Sequence, residues 1–118
     1  MKIVAAVDAL AALAQETRLA VFRLLVEAGP RGVSAGKIAA VLTLPPATLS
    51  FHVAHLKRAK LVEARQEGRF IYYSASFARM DDLIAFLTDK CCGGGANCLP
   101  KTVAACAATK RSRARAKA

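Results

Sequence analysis

Residues 49–74 read LSFHVAHLKRAKLVEARQEGRFIYYS, and within this stretch the hydrophobic period changes. Leu49, Val53 and Leu56 share one face of a helix expected from about Ala47 to Ala59. Beyond it the pattern shortens to a strand's. Leu61–Arg65 and Phe70–Ser74 are short strand-like runs around Gln66-Glu67-Gly68-Arg69, where Gly68 supplies a positive φ. A helix that runs into a β-hairpin reads as the second half of a helix-turn-helix with the hairpin as its wing.

Upstream, Pro45-Pro46 breaks the chain after Leu44, and Ser34 caps a third helix carrying Ile38, Val41 and Leu42. A second helix is expected over Thr17–Ala28, with Leu19, Phe22, Leu25 and Val26 inward and Gly29-Pro30 as its stop. The first covers Ile3–Ala14, with Ile3, Val7, Leu10 and Leu13 at helical spacing. Downstream, Ser76 caps a fifth helix carrying Phe77, Met80, Leu83, Ile84 and Leu87 up to Lys90, and Thr102–Ala108 reads as a short helical turn. The fold class is therefore mainly α with a small β-hairpin, a winged helix-turn-helix. The first and fifth helices lie outside that unit. Their apolar stripes exceed what a small monomer needs, which predicts a homodimer, the symmetry that a reader of two-fold DNA sites requires.

The chain has 118 residues, one small domain, and 55% of them are hydrophobic, much of that alanine, which favours helix. The apolar run at Ile3–Ala14 is too short to span a bilayer and continues into the helical domain, so no membrane anchor or signal peptide is expected and the protein reads as cytoplasmic. The net charge of +10 is uneven: residues 1–89 hold 11 basic and 8 acidic residues, residues 90–118 hold 7 basic and no acidic ones. The tail Lys110–Lys117 is expected to lack regular structure, either meeting a polyanion or acting as a solvated, solubilising end.

On the fourth helix, the face opposite Leu49, Val53 and Leu56 holds Ala47, Thr48, Phe51, Ala54, His55 and Arg58, with Ser50 and Lys57 at its edges. A recognition helix sets its N-terminal residues against base edges, so Thr48 and Ser50 are candidate hydrogen-bonding groups for double-stranded DNA. Phe51 is unusual on a solvent face and is a candidate contact for thymine methyls. Arg58, Lys60, Arg65 and Arg69 surround the helix and wing as candidate phosphate ligands. His52 and His55 have no Cys, Asp or Glu near enough in sequence to complete a metal site, and are read as structural or DNA-facing. No Ser/His/Asp pattern, phosphate loop or carboxylate pair with a base is present, which argues against an enzyme.

All four cysteines lie between residues 91 and 106. Cys91-Cys92-Gly-Gly-Gly-Ala-Asn-Cys98 places three thiols where the glycines let the chain fold back, so they can converge on one soft ion. In a reducing compartment such clusters mean metal or redox chemistry more often than a disulfide.

The stretches ALAALAQETRLAVFRLL at 9–25 and LSFHVAHLKRAKLVEARQEGRFIYYS at 49–74, with the closing fifth helix, resemble the ArsR/SmtB family of winged-helix, homodimeric repressors that leave DNA on binding metal. The resemblance covers about residues 5–90. Family members that carry Cys-x-Cys in the third helix are not matched here, where Val41-Leu-Thr-Leu44 stands. Nor are the zinc-type Asp/His sets of the fifth helix, which here has Asp81, Asp82 and Asp89 but no His. What remains, Cys91, Cys92 and Cys98, is similar to the C-terminal arsenite site of one arsenic-responsive branch.

The resemblance implies a DNA-binding and dimerisation domain at 1–90, an inducer-binding segment at 91–106 and a basic tail at 107–118. It implies no resident cofactor, and As(III) or Sb(III) as the inducer. Trivalent arsenic takes three thiolates in a pyramid, whereas zinc wants four tetrahedral ligands, for which Cys106 is the remaining sulfur. Zinc, cadmium or lead sensing, thiol-redox sensing and, in a different class, metal buffering stay open as alternatives.

Overall fold

The computed structural model describes residues 1–89. Its elements are α1 Ile3–Leu13, α2 Glu16–Ala28, β1 Val33–Ser34, α3 Ala35–Leu42, α4 Pro46–Arg58, β2 Val62–Glu67, β3 Phe70–Ala75 and α5 Phe77–Thr88. The chain divides into two units, Met1–Phe86 and Leu87–Ala118, and the helix-turn-helix lies wholly in the first. The cysteines, the turn expected at 102–108 and the basic tail lie outside the described residues.

The expected caps are present. Ser34 Oγ accepts from the Lys37 N–H at 3.3 Å and Ser76 Oγ from the Arg79 N–H at 3.3 Å. Gly29 ends α2 at φ 82°, its N–H donating to the Leu25 carbonyl. Pro46 opens α4 at its first turn, where its missing N–H costs nothing.

The wing is larger than the expected hairpin. β3 pairs antiparallel with β2 on one side and with β1 on the other, giving the order β1-β3-β2. Val33 lies opposite Tyr73 and Ser34 opposite Tyr72. The hairpin also runs further than its apolar residues suggest, with Gln66 and Glu67 paired to Ile71 and Phe70. The backbone ladder continues although the side chains are polar, because neither face of the tip is covered. Only Gly68 and Arg69 remain in the loop, and Gly68 has φ 61°, the pattern of a type II′ turn. Gly32 makes the approach of β1 to β3 feasible. A Cβ there would lie 2.4 Å from the Tyr73 carbonyl oxygen, and its φ is 79°.

The core gathers Val21, Phe22 and Leu25 of α2, Ile38 of α3, Leu49, Val53 and Leu56 of α4, and Leu61, Val62 and Leu83. Each large side chain buried there contributes roughly 1.5–3 kcal/mol. Val21 takes the inward place expected of Leu19, which is exposed, and Val41 also points to solvent. In α1 the inward face is Ala6, Ala9 and Ala12, not the bulky stripe. The small alanines let α1 lie close against α2 and α4. Ile3, Val4, Val7 and Leu10 remain 68%, 69%, 57% and 43% exposed.

Candidate nucleic-acid interface

α4 is the third-to-fourth-helix partner in the helix-turn-helix, and the turn before it is set by backbone geometry. Thr43 adopts a left-handed conformation at φ 54°, and the Leu44 N–H donates to the Ala39 carbonyl at 2.9 Å. This Schellman closure ends α3 and redirects the chain into Pro45-Pro46. α3 and α4 thereby meet at a bend of 110°.

The outer face of α4 carries Ala47, Ser50, Phe51, Ala54, Lys57 and Arg58, all exposed; Thr48 and His55 are half-buried at one side. His52 lies on the inner face with Leu49, Val53 and Leu56. It is therefore structural. Its Nδ1 has no hydrogen-bond partner among the described residues.

Phe51 is 58% exposed, yet it is not loose. Its ring centroid lies 5.4 Å from that of His52 and 5.4 Å from that of His55, both edge-on. His55 is held below the ordinary imidazole range, first by partial desolvation and then by the charges of Arg18, Arg58 and His52. These surroundings favour the neutral ring over the cation. Arg18, whose Nε donates to the Ala12 carbonyl at 2.7 Å, anchors the α1–α2 junction beside it.

On the wing, Arg65 and Arg69 are both exposed. Arg65 is committed locally: Nη2 donates to the Arg31 carbonyl at 3.0 Å, Nε pairs with Glu67 at 2.9 Å, and the guanidinium sits 5.4 Å from the Tyr72 ring centre. It braces the wing against the segment leading into β1. Arg69 occupies the tip. Beside it, Phe70 and Ile71 are exposed, a feature the sequence reading passed over. The signal was an apolar pair directly after the turn, where no face of the hairpin has anything to cover it.

Among the described residues no three of His, Cys, Asp and Glu come together as a metal site, and no single helix is long and apolar enough to cross a membrane.

A buried three-helix scaffold that presents one exposed helix beside a cation-bearing hairpin defines a winged helix-turn-helix DNA-binding protein. The helix-turn-helix domain family matches residues 13–65. The transcriptional activator HlyU of Vibrio cholerae is 33% identical over 82 residues, 70% of this chain and 73% of that protein. Its solved structure matches with a TM-score of 0.62 at 31% identity, covering 78% of this chain and 99% of that one. A structure described as reduced HlyU gives 0.57 at 28% identity, over 74% of this chain and 87% of that one. An ArsR-like transcriptional regulator from Rhodococcus matches at 0.61 and 26% identity, over 74% and 78% of the two chains. A homodimeric winged helix-turn-helix DNA-binding domain from Mycobacterium bovis, described as ArsR-family, matches at 0.58 and 30% identity, over 73% and 80%. The chain belongs to the ArsR-type family of winged helix-turn-helix transcriptional regulators, and its relatives are named as regulators, not enzymes.

Proposed function

We propose that this regulator is a metalloid-responsive repressor that binds operator DNA as a homodimer and leaves it when As(III) or Sb(III) is captured by Cys91, Cys92 and Cys98. The DNA half of this reading rests on α4, which exposes Ala47, Ser50 and Phe51 ahead of Arg58 with Thr48 and His55 half-buried beside them, and on Arg65 and Arg69 of the wing. The inducer half rests on the sequence: three thiols closely spaced around a glycine run fit a soft, three-coordinate ion. The homodimer is supported by the exposed apolar stripe of α1 and by the homodimeric relative from Mycobacterium bovis. Such a protein works in the cytoplasm, where its thiols stay reduced and its DNA is at hand.

Binding energy at the thiols is coupled to DNA affinity if the two dimer arrangements differ in the spacing of their recognition helices. A coupling of about 1–3 kcal/mol corresponds to an about 5–150-fold change in operator affinity. Thiol-redox sensing is the second reading, favoured by the vicinal Cys91-Cys92 pair and by the redox state named for one HlyU structure. Titrating the protein–DNA complex with arsenite, antimonite, zinc, cadmium and a thiol oxidant separates the readings. Release by arsenite or antimonite at stoichiometric levels supports the proposal; release by zinc or oxidant alone overturns it.

A further inference from the structure

Residues 46–56, the first three turns of α4, contain no Arg, Lys, Asn, Gln, Asp or Glu. Those are the side chains that make paired hydrogen bonds to guanine or adenine, or accept from cytosine, in the major groove. The outer face of these turns instead presents Ala47, Phe51 and Ala54, all exposed and in line at i, i+4 and i+7, with the hydroxyls of Thr48 and Ser50 beside them. At 1.5 Å per residue that line is about 10 Å long, roughly three base-pair steps. The Phe51 ring is pinned outward by two edge contacts, one of them to His52, which is buried in the core. The line continues into exposed Arg58, and exposed Arg65 and Arg69 stand on the wing.

An apolar ridge bordered by cations fits a polyanion that itself carries apolar groups. In B-DNA the groups that meet this description are the 5-methyls of thymine, which Ala, Thr and Phe contact. We infer that α4 reads its operator through thymine methyl groups, with Phe51 as the central specificity-determining residue and Ala47 and Ala54 flanking it, so that each half-site is defined by T·A pairs and not by guanine contacts. This rests on the reading of α4 as the recognition helix and names the bases that helix selects.

The test uses the full chain. Wild-type protein first enriches duplexes from a random pool. The enriched site is then remade with deoxyuridine replacing each half-site thymine in turn, which removes the methyl and leaves every hydrogen-bonding group in place. The expected result is an affinity loss of about fourfold for each contacted methyl, with Phe51→Ala binding the thymine and uridine duplexes equally at the position under the ring. Undiminished binding at every uridine position overturns the inference, using only wild-type protein. So does a Phe51→Ala variant that keeps the full discrimination. If wild-type protein enriches no sequence and binds no duplex in a salt-dependent way, the DNA-binding reading itself fails, an outcome distinct from the other two.

Discussion

Arg65 and Arg69 stand on the same hairpin, but their charges are engaged differently. Arg65 is tied to Glu67, the Arg31 carbonyl and the Tyr72 ring. Arg69, at the tip, has no hydrogen bond or ion pair among the described residues, so its charge is free to meet phosphate. Arg69→Ala should weaken operator and random DNA alike and reduce the slope of log affinity against log salt by about one. A selective loss on operator would instead make Arg69 a base reader. His55 offers a second residue-level check. Its folded-state pKa lies below the ordinary 6.5, so folding favours the neutral ring. The stability this contributes is complete above that ordinary value and is lost as pH falls through the lower, folded one. Denaturant unfolding between about pH 7.5 and 5 should show a shallower acid-side decline for His55→Gln than for wild type. Identical declines would mean that the partial desolvation and the charges of Arg18, Arg58 and His52 do not act on the ring as the structure places them. The sequence exposed both residues as candidates. His52 turns inward because it shares the local helix face of Leu49, Val53 and Leu56, but nothing in the sequence marked Arg65 as a brace, since that depends on the distant Arg31 carbonyl.

At the scale of elements, two of the turns that shape the DNA-binding unit close with residues ill suited to them. After α4, Lys60 takes φ 64°, the Leu61 N–H donates to the Leu56 carbonyl at 3.0 Å, and the Lys60 N–H to the Lys57 carbonyl at 2.9 Å. After α3, Thr43 does the same work at φ 54°. Both are Schellman ends in which glycine is the usual left-handed residue. Thr43 is β-branched, so its strain is the larger. Thr43→Gly should therefore stabilise the fold by about 1 kcal/mol after the unfolded-state entropy of glycine is subtracted, raising the melting temperature by about 4–8 °C. A fall in melting temperature would show that the Thr43 side chain makes a compensating contact. Gly32 gives the opposite case: Gly32→Ala drives a Cβ into the Tyr73 carbonyl and should detach β1, visible as lost amide protection at Val33 and Tyr73. The helices and hairpin were legible because periodicity, caps and Gly68 act locally. β1 was not, because two residues carry no period and their pairing is made by Tyr72 and Tyr73 far along the chain. The stripe of α1 was legible as an apolar excess and it does face outward, but the alanine face that packs inward in its place was not legible. Spacing identifies a helix face but not which face wins the core, and here the alanine face allows the closer approach.

For the whole molecule, that outward stripe is the physical reason to expect two copies. Val7→Asp together with Leu10→Asp leaves the buried alanine face untouched, so the variant should stay folded by circular dichroism, sediment as a monomer at micromolar concentration, and bind a palindromic site more weakly than wild type. A wild-type monomer that binds the palindrome equally well would remove the dimer from the argument. The proposed thiol response belongs to the same scale, because it would have to alter the dimer's grip on DNA while leaving each winged helix folded. Cys91, Cys92 and Cys98 lie past the last residues of α5, outside every element that faces DNA in the described fold. Replacing any one of them by Ser would remove one sulfur from the proposed three-thiol site and should leave α4 and the wing unchanged. Each single variant should therefore hold operator DNA with wild-type affinity and fail to release it on arsenite addition, as read by fluorescence anisotropy of labelled duplex. Cys106→Ser should release DNA nearly as wild type does, since three sulfurs suffice for trivalent arsenic. Normal release by Cys98→Ser would dismiss the three-thiol site. A requirement for Cys106 would instead favour four tetrahedral sulfurs and a zinc-type ion.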